Sequence, residues 1–292
     1  MNEKPTQKSP NELFQSHPRS FKASRFVYPV LSRRSNGISI GVNINPDKVC
    51  NFNCVYCQVN RSESAEKRFV EIDALESELD KTVQAVTSGR LFDESKFSNV
   101  PKPLRRLNDI ALSGDGEPTI YSNFEQVVEV CADVRRRYEL TDVKLVLITN
   151  ASLLHRDQVQ RGLILMYENN GEIWAKLDAG TEDYYKTISR SAVPFDRILG
   201  NITTTAQSHP IVVQSLFMKI QDQPPSHGQI QAYCDRLNEI TSAGGQIKLV
   251  QIHTVARPPA EVWVSAIPDA QLDELANTVS RATGLQVATF YG

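Results

Sequence analysis

Gly37-Ile38-Ser39-Ile40-Gly41-Val42-Asn43-Ile44-Asn45, followed after Pro46 by Cys50-Asn51-Phe52-Asn53-Cys54-Val55-Tyr56-Cys57, is the stretch from which the fold can be read. Its first part alternates strictly, with Ile38, Ile40, Val42 and Ile44 on one side and Ser39, Gly41, Asn43 and Asn45 on the other. That is the period of a β-strand. Pro46 ends the strand, and three of the five cysteines then fall within eight residues, spaced C-x3-C-x2-C. Such crowding suits thiolates that share one inorganic cluster, because a short loop brings the sulfurs to one centre without long-range folding. A structural zinc site normally takes four protein ligands, and no His or fourth Cys lies nearby to complete the set. Three ligands on a cube of four irons leave one iron open for a group that is not protein.

The strand-then-loop pattern repeats downstream. A helix is expected over Val70 to Ser88, closed by Gly89, and the link from Arg90 to Asn108 is long enough to cover part of a site. Strands follow at Asp109 to Ser113, Val143 to Thr149, Ile173 to Leu177, Ile211 to Phe217 and Ile247 to Ile252. The helices between them centre on Asn123 to Tyr138, Arg156 to Glu168, the segments up to Gln207, and Gln229 to Ser242. A last helix over Ala270 to Ala282 and a short strand at Gln286 to Phe290 end the chain. Six strand–helix units in succession predict parallel strands with right-handed crossovers, an α/β fold curled into a partial (βα)6 barrel. Barrels of this kind carry their chemistry at the C-terminal ends of the strands. The unusual segments all fall there: the cysteines, Gly114-Asp115-Gly116-Glu117-Pro118, Thr149-Asn150, Lys176-Leu177-Asp178, and His253 to Arg257.

With an aromatic directly before its third cysteine, Cys50 to Cys57 resembles the signature of the radical S-adenosylmethionine (radical SAM) superfamily. Ser113-Gly114-Asp115-Gly116-Glu117-Pro118-Thr119 resembles that family's G-G-E-P segment, with Asp115 where its first glycine usually stands. The resemblance covers roughly Gly37 to Val255 and implies the partial (βα)6 barrel. It implies a [4Fe-4S] cluster on Cys50, Cys54 and Cys57, with S-adenosyl-L-methionine (SAM) chelated to the open iron. Reductive cleavage would then give a 5′-deoxyadenosyl radical that abstracts hydrogen from a substrate. On the same resemblance, Gly114, Asp115, Gly116, Glu117 and Pro118 hold the amino group of SAM, and Tyr56 lies on its adenine side. An external donor such as a flavodoxin or ferredoxin would supply the electron.

Within the superfamily, Ile40-Gly41-Val42-Asn43, Lys176-Leu177-Asp178-Ala179-Gly180 and Ala256-Arg257-Pro258-Pro259 resemble stand-alone Fe–S oxidoreductases related to the wyosine tRNA-base synthases. Those synthases carry extra upstream cysteines, and here none precedes Cys50. Glycyl-radical activating enzymes share a similar minimal core.

Other polar residues at strand ends complete the candidate site. Asn150 and Asp178 are placed to hold ribose hydroxyls. Lys176 shares a strand face with Trp174 and Asp178, and turned inward it needs a carboxylate or an anionic ligand. Gln214, Gln251 and His253 either bind substrate or satisfy one another across the barrel, and His253 read alone fits a satisfied core histidine. Arg257 suits a carboxylate or phosphate, or a rigid surface loop. Cys131 and Cys234 sit among apolar neighbours in expected helices and read as small core residues.

Composition sets the outer limits. The chain has 292 residues, 40% hydrophobic and 23% charged, with a net charge of −2, ordinary for a globular protein without a general pull toward nucleic acid. It contains no apolar run of membrane-spanning length and no secretory pattern, and its clustered cysteines do not form a disulfide framework, so a reducing cytoplasm is the expected compartment. Residues 1–25 are expected to form a flexible basic arm, 26–255 the barrel, and 256–292 a C-terminal helix and strand packed on the core. From Met1 to Ser35 seven Lys/Arg face Glu3 and Glu12, which suits a solvated arm or contact with nucleic acid or an acidic partner. An Fe–S electron-transfer or sensor protein without SAM cleavage is the alternative function, and a zinc-stabilised RNA-binding protein a third. The substrate class, whether tRNA, protein or small molecule, is not written in any loop.

Overall fold

The computed structural model describes residues 24–61 and 69–292, so the expected basic arm falls, up to residue 23, outside the described residues. In chain order the strands are β1 (Val27–Ser32), β2 (Gly37–Val42), β3 (Leu107–Leu112), β4 (Lys144–Thr149), β5 (Gly171–Lys176) and β6 (Ile211–Leu216). After them come β7 (Lys219–Ile220), β8 (Ile247–His253), β9 (Val264–Ser265) and β10 (Val287–Phe290). The helices are α1 (Ile72–Thr87), α2 (Phe124–Arg137), α3 (Asp157–Glu168), α4 (Glu182–Ser189), α5 (Phe195–Ser208), α6 (His227–Ser242) and α7 (Asp269–Thr283). The main sheet runs β1-β2-β3-β4-β5-β6-β8-β10, with only the β1–β2 pair antiparallel, and β7 and β9 form a separate ribbon. It is a curled, mostly parallel half-barrel, the architecture expected from the repeating units. Among the described residues no helix is long and apolar enough to cross a membrane.

β1 was not foreseen from the sequence. Val27-Tyr28-Pro29-Val30-Leu31-Ser32 has no alternation, because all six residues are buried, and it contains a proline. Proline is tolerated here because β1 is an edge strand, where a missing N–H breaks no ladder on its open side. The α6 helix starts two residues earlier than expected, at a capping box in which Ser226 and Gln229 satisfy each other's backbone N–H.

Both faces of the sheet are buried, and they differ in chemistry. Ile38, Ile40, Val42, Ile110, Leu112, Leu145, Leu147, Ile173 and Val213 join the large core under the helices. The concave face holds a separate small cluster of Ala111, Val146, Trp174 and Val212. Around that cluster the interior positions are polar: Ser39, Asp109, Glu172, Gln214 and Gln251 are all buried. The alternation of β2 therefore sorts helix-facing from interior-facing residues, not core from solvent. An interior of this kind stays a cavity because its polar groups are engaged in pairs rather than packed away. Glu172 shows how: its carboxylate accepts from Trp174 Nε1 at 2.6 Å, Lys144 Nζ at 2.8 Å and Lys248 Nζ. Burial pushes this carboxyl up, but the three donors outweigh it and hold the group below the usual carboxylate range.

The hairpin that lays β1 on this sheet is pinned from α1. Glu78 accepts from the backbone N–H groups of Arg25 at 3.0 Å, Phe26 at 2.8 Å and Val27 at 3.2 Å. Glu78→Ala should therefore leave these amides unpaired and cost about 1–3 kcal/mol. Urea unfolding would measure the loss, and an unchanged midpoint would mean that water replaces the carboxylate without penalty.

Candidate functional site

A cavity of about 340 Å³ opens at the C-terminal ends of the parallel strands and runs into the barrel. Three loops build its upper wall, and each leads directly from a strand end. The loop after β2 brings Cys50, Cys54 and Cys57 to the cavity, all half-buried and none in a disulfide. It is anchored by backbone bonds from Asn53 and Val55 to Ser189 and Ile188 at the end of α4, each 2.9 Å. The loop after β3 supplies Gly114 to Glu117, and the loop after β4 supplies Asn150.

The glycine loop and the cysteine loop lie against each other with no room to spare. A Cβ on Gly116 would stand 2.0 Å from the Val49 carbonyl oxygen, and one on Gly114 would stand 2.3 Å from Asn43 Oδ1. Close backbone approach is the reason glycine is needed at both places. Asp115, the departure from the family segment, turns to Asn43: its carboxylate accepts from Asn43 Nδ2 at 2.7 Å, and its N–H donates to Asn43 Oδ1 at 3.2 Å.

Glu117 is buried and stitches two strand ends together. One oxygen accepts from Thr119 Oγ1 at 2.5 Å, Thr119 N at 3.2 Å and Thr149 Oγ1 at 2.6 Å, and the other accepts from Asn150 N at 2.7 Å. Burial pushes its carboxyl up, and these donations pull it back only in part. Asn150 passes the connection on, donating to Asn51 Oδ1 at 2.8 Å and accepting from Ser152 Oγ at 2.6 Å. Asn51 in turn donates to that hydroxyl at 2.8 Å. Asn51 and Ser152 were not singled out by sequence reasoning. Their signal is weak, one polar residue between two cysteines and one in a strand-end turn.

Asp178 does not line the cavity. Its Oδ2 accepts from the Tyr56 hydroxyl, and its Oδ1 accepts from Leu216 N at 2.7 Å and faces Lys176 Nζ at 3.4 Å. Placed this way it orients Tyr56 and Lys176 from outside the lining, and of the two residues expected to hold ribose hydroxyls Asn150 is the one on the cavity wall. Pro118 likewise sits behind the wall, opening a short turn. The link from Arg90 to Asn108 contributes nothing to the lining, because Leu91, Phe92, Phe97 and Val100 are buried in the helix-side core.

Lys176, Gln214, His253 and Arg257 all line the cavity. Lys176 turns inward, with its ammonium 5.1 Å from the centre of the Tyr56 ring. Gln214 donates to Gln251 at 3.0 Å, so those two amides satisfy each other. His253 departs from the satisfied core histidine, since its Nδ1 is buried without a hydrogen-bond partner. Burial first, and then the charges of Lys176, Arg34 and Arg33, hold its imidazole well below the usual histidine range, so it is neutral.

Three cysteines on one cavity wall are a donor set that fits an iron–sulfur cluster in kind. Among the described residues no three His, Cys, Asp or Glu side chains already stand as they would around one metal ion. Cys50 Sγ receives a backbone N–H from Phe52 at 3.5 Å, and Cys57 Sγ receives an Arg61 N–H at 3.7 Å, donors suited to sulfur carrying negative charge. Burial pushes the Cys54 thiol up to about 12, with the Asp178 charge adding to it, so a thiolate here needs a cationic partner such as iron.

This curled parallel half-barrel shares its fold with radical SAM enzymes. A radical SAM methyltransferase from Sphaerobacter thermophilus superposes with a TM-score of 0.61 at 12% identity, over 91% of this chain and 69% of that one. TYW1 with a lysine-pyruvate adduct bound gives 0.51 at 14% identity, over 85% of this chain and 74% of that one. In sequence the chain is similar to a UPF0026 protein of Methanocaldococcus jannaschii, 30% identical over 169 residues, which is 56% of this chain and 43% of that protein. It is also 26% identical over 204 residues, 69% of this chain, to a Brachyspira hyodysenteriae protein named GTPase Obg, of which it spans 26%. The chain thus spans less than half the length of these curated relatives. No family model matches it.

Proposed function

We propose that this protein is a radical SAM enzyme that binds a [4Fe-4S] cluster through Cys50, Cys54 and Cys57 and binds SAM beside it. The carrying observation is the meeting of the three cysteines, Gly114 to Glu117 and Asn150 on the wall of one cavity, in a fold shared with radical SAM enzymes. When bound, the cluster and SAM supply reductive cleavage of SAM and hydrogen abstraction from a substrate.

The protein's own residues prepare the site for that chemistry. Gly114 and Gly116 let backbone stand against the cysteine loop, so carbonyl and N–H groups rather than side chains face the amino-acid end of SAM. Glu117 and Asn150 fix the spacing between the β3 and β4 loops. Tyr56, its hydroxyl held by Asp178, would lie on the adenine side of SAM. Lys176, Gln214, His253 and Arg257 face the part of the cavity left for substrate. A low-potential donor such as a flavodoxin or ferredoxin delivers the electron.

The test is anaerobic reconstitution with iron and sulfide, followed by SAM and dithionite. We expect 5′-deoxyadenosine to form only when cluster, SAM and reductant are all present. A cluster that assembles but neither binds nor cleaves SAM would overturn the proposal in favour of an electron-transfer protein.

A further inference from the structure

Arg33 and Arg34 lie in the turn between β1 and β2, a segment added in front of the parallel strands, yet both line the same cavity as the cysteines. Arg34 reaches across the barrel interior and rests its guanidinium 5.6 Å from the centre of the Trp174 ring on β5. Trp174 cannot turn away, because its indole N–H is held by Glu172 at 2.6 Å. Arg34 itself has no hydrogen bond and no carboxylate within 4.0 Å among the described residues. The acid whose charge bears on it is Asp109, one oxygen of which accepts from Ser39 Oγ. Burial lowers its guanidinium to about 10, with Arg33 adding and Asp109 opposing, so it stays charged at neutral pH. Half-buried and resting on an aromatic face, the guanidinium turns N–H donors that no described protein group accepts toward the cavity.

The surroundings add to the deficit. The charges of Lys176, Arg34 and Arg33 all bear on His253, whose Nδ1 lacks a partner. Arg257 also lies close enough to oppose the charge of Arg34. On the acidic side of the lining, Glu117 and Asp115 are bound to Thr119, Thr149, Asn150 and Asn43. Trp174 and Asp109 lie before the ends of their strands, so the unpaired cation sits deeper in the barrel than the cysteine loop.

We propose that the barrel interior between Arg34, Lys176 and His253 is the subsite for an anionic group of the substrate, a carboxylate or a phosphate. This rests on the radical SAM reading and names its substrate class. Arg34 supplies the planar donor pair that either anion accepts, stiffened by its stacking on Trp174. Lys176, held at 3.4 Å from Asp178, supplies a second cationic donor, and neutral His253 a further hydrogen bond without another charge to bury.

The test titrates the reconstituted protein with inorganic phosphate and, separately, with malonate, at constant ionic strength, following thermal stabilisation. One probe, or both, should stabilise saturably, and which one is preferred separates phosphate from carboxylate. Arg34→Gln should weaken that binding by roughly tenfold or more, since a charge-assisted pair is lost. Arg34→Lys, which keeps the charge, should lose less, and Arg197→Gln on the exposed face of α5 should match the unmodified protein. Should Arg34→Gln fail to fold, the order Arg34→Lys weaker than unmodified, with Arg197→Gln equal to it, carries the same decision. No saturable effect of either anion, or equal binding by the Arg34 variants, would overturn the subsite. SAM cleavage by the unmodified protein in the same preparation tests the enzyme reading separately, so the two failures cannot be confused.

Discussion

Alanine at Cys50, Cys54 or Cys57 is expected to abolish cluster assembly, while alanine at Cys131 or Cys234 leaves it intact. Each of the first three thiols lines the cavity and is only half-buried, so removing one leaves two protein ligands for four irons. Their placement cannot be rescued by a neighbour, because the remaining cysteines are fully buried in α2 and α6 on the helix side of the sheet. Cys131 shows this chemically: burial alone pushes its thiol up to about 12, with no cation nearby to favour a thiolate. Replacing either buried cysteine removes one sulfur from a packed core and should cost about 1–2 kcal/mol, too little to unfold a chain of this size. Iron and acid-labile sulfide content, together with visible absorption after anaerobic reconstitution, read the outcome. Cluster retained in a Cys54→Ala protein, or lost in a folded Cys234→Ala protein, would sink the ligand assignment. The same series also bears on SAM cleavage, which should vanish with the cluster and survive with it.

The contrast between these two cysteine groups was legible in the sequence because it is local. Spacing within a loop, and apolar neighbours within a helix, report directly on environment. Strand ends were legible for the same reason: alternation in β2, short apolar runs later, and Gly or Pro after several of them. What stayed hidden is what depends on one element meeting another. Nothing local to Pro29 says that it lies on a sheet edge, where it is harmless, rather than inside a turn. Arg33 and Arg34 read as part of a basic arm, because their entry into the barrel depends on a hairpin whose first strand has no periodicity. Asp178 illustrates the converse. Its position at a strand mouth was read correctly, but the Tyr56 hydroxyl and the Leu216 amide that claim its oxygens come from distant points in the chain. Position along a barrel strand predicts the height of a side chain, and it does not tell whether the polar atoms are already engaged.

Glu117 shows how far such engagement goes, and it yields a result that hydrogen-bond chemistry makes unusual. Glu117→Gln should destabilise the protein nearly as much as Glu117→Ala, each by about 2–4 kcal/mol. An ionised carboxylate only accepts, and here both oxygens are approached by donors, Thr119 and Thr149 on one side and the Asn150 amide on the other. A glutamine must set its NH2 against one of those sides, whichever way it flips, so shape is kept and a donor–donor clash is made. The alanine variant instead leaves the same donors buried without an acceptor. Because Asn150 carries the connection to Asn51 between Cys50 and Cys54, either change should also loosen the cysteine loop. Weaker SAM binding should therefore accompany the lost stability, transmitted through Asn150 and Asn51. Urea unfolding of the two variants, paired with equilibrium SAM binding to the reconstituted protein, tests both halves. A glutamine variant as stable as the unmodified protein would mean that Glu117 is protonated in the folded state. In that case the upward push of burial on its carboxyl, rather than the pull of its four donors, governs the joint between the two loops.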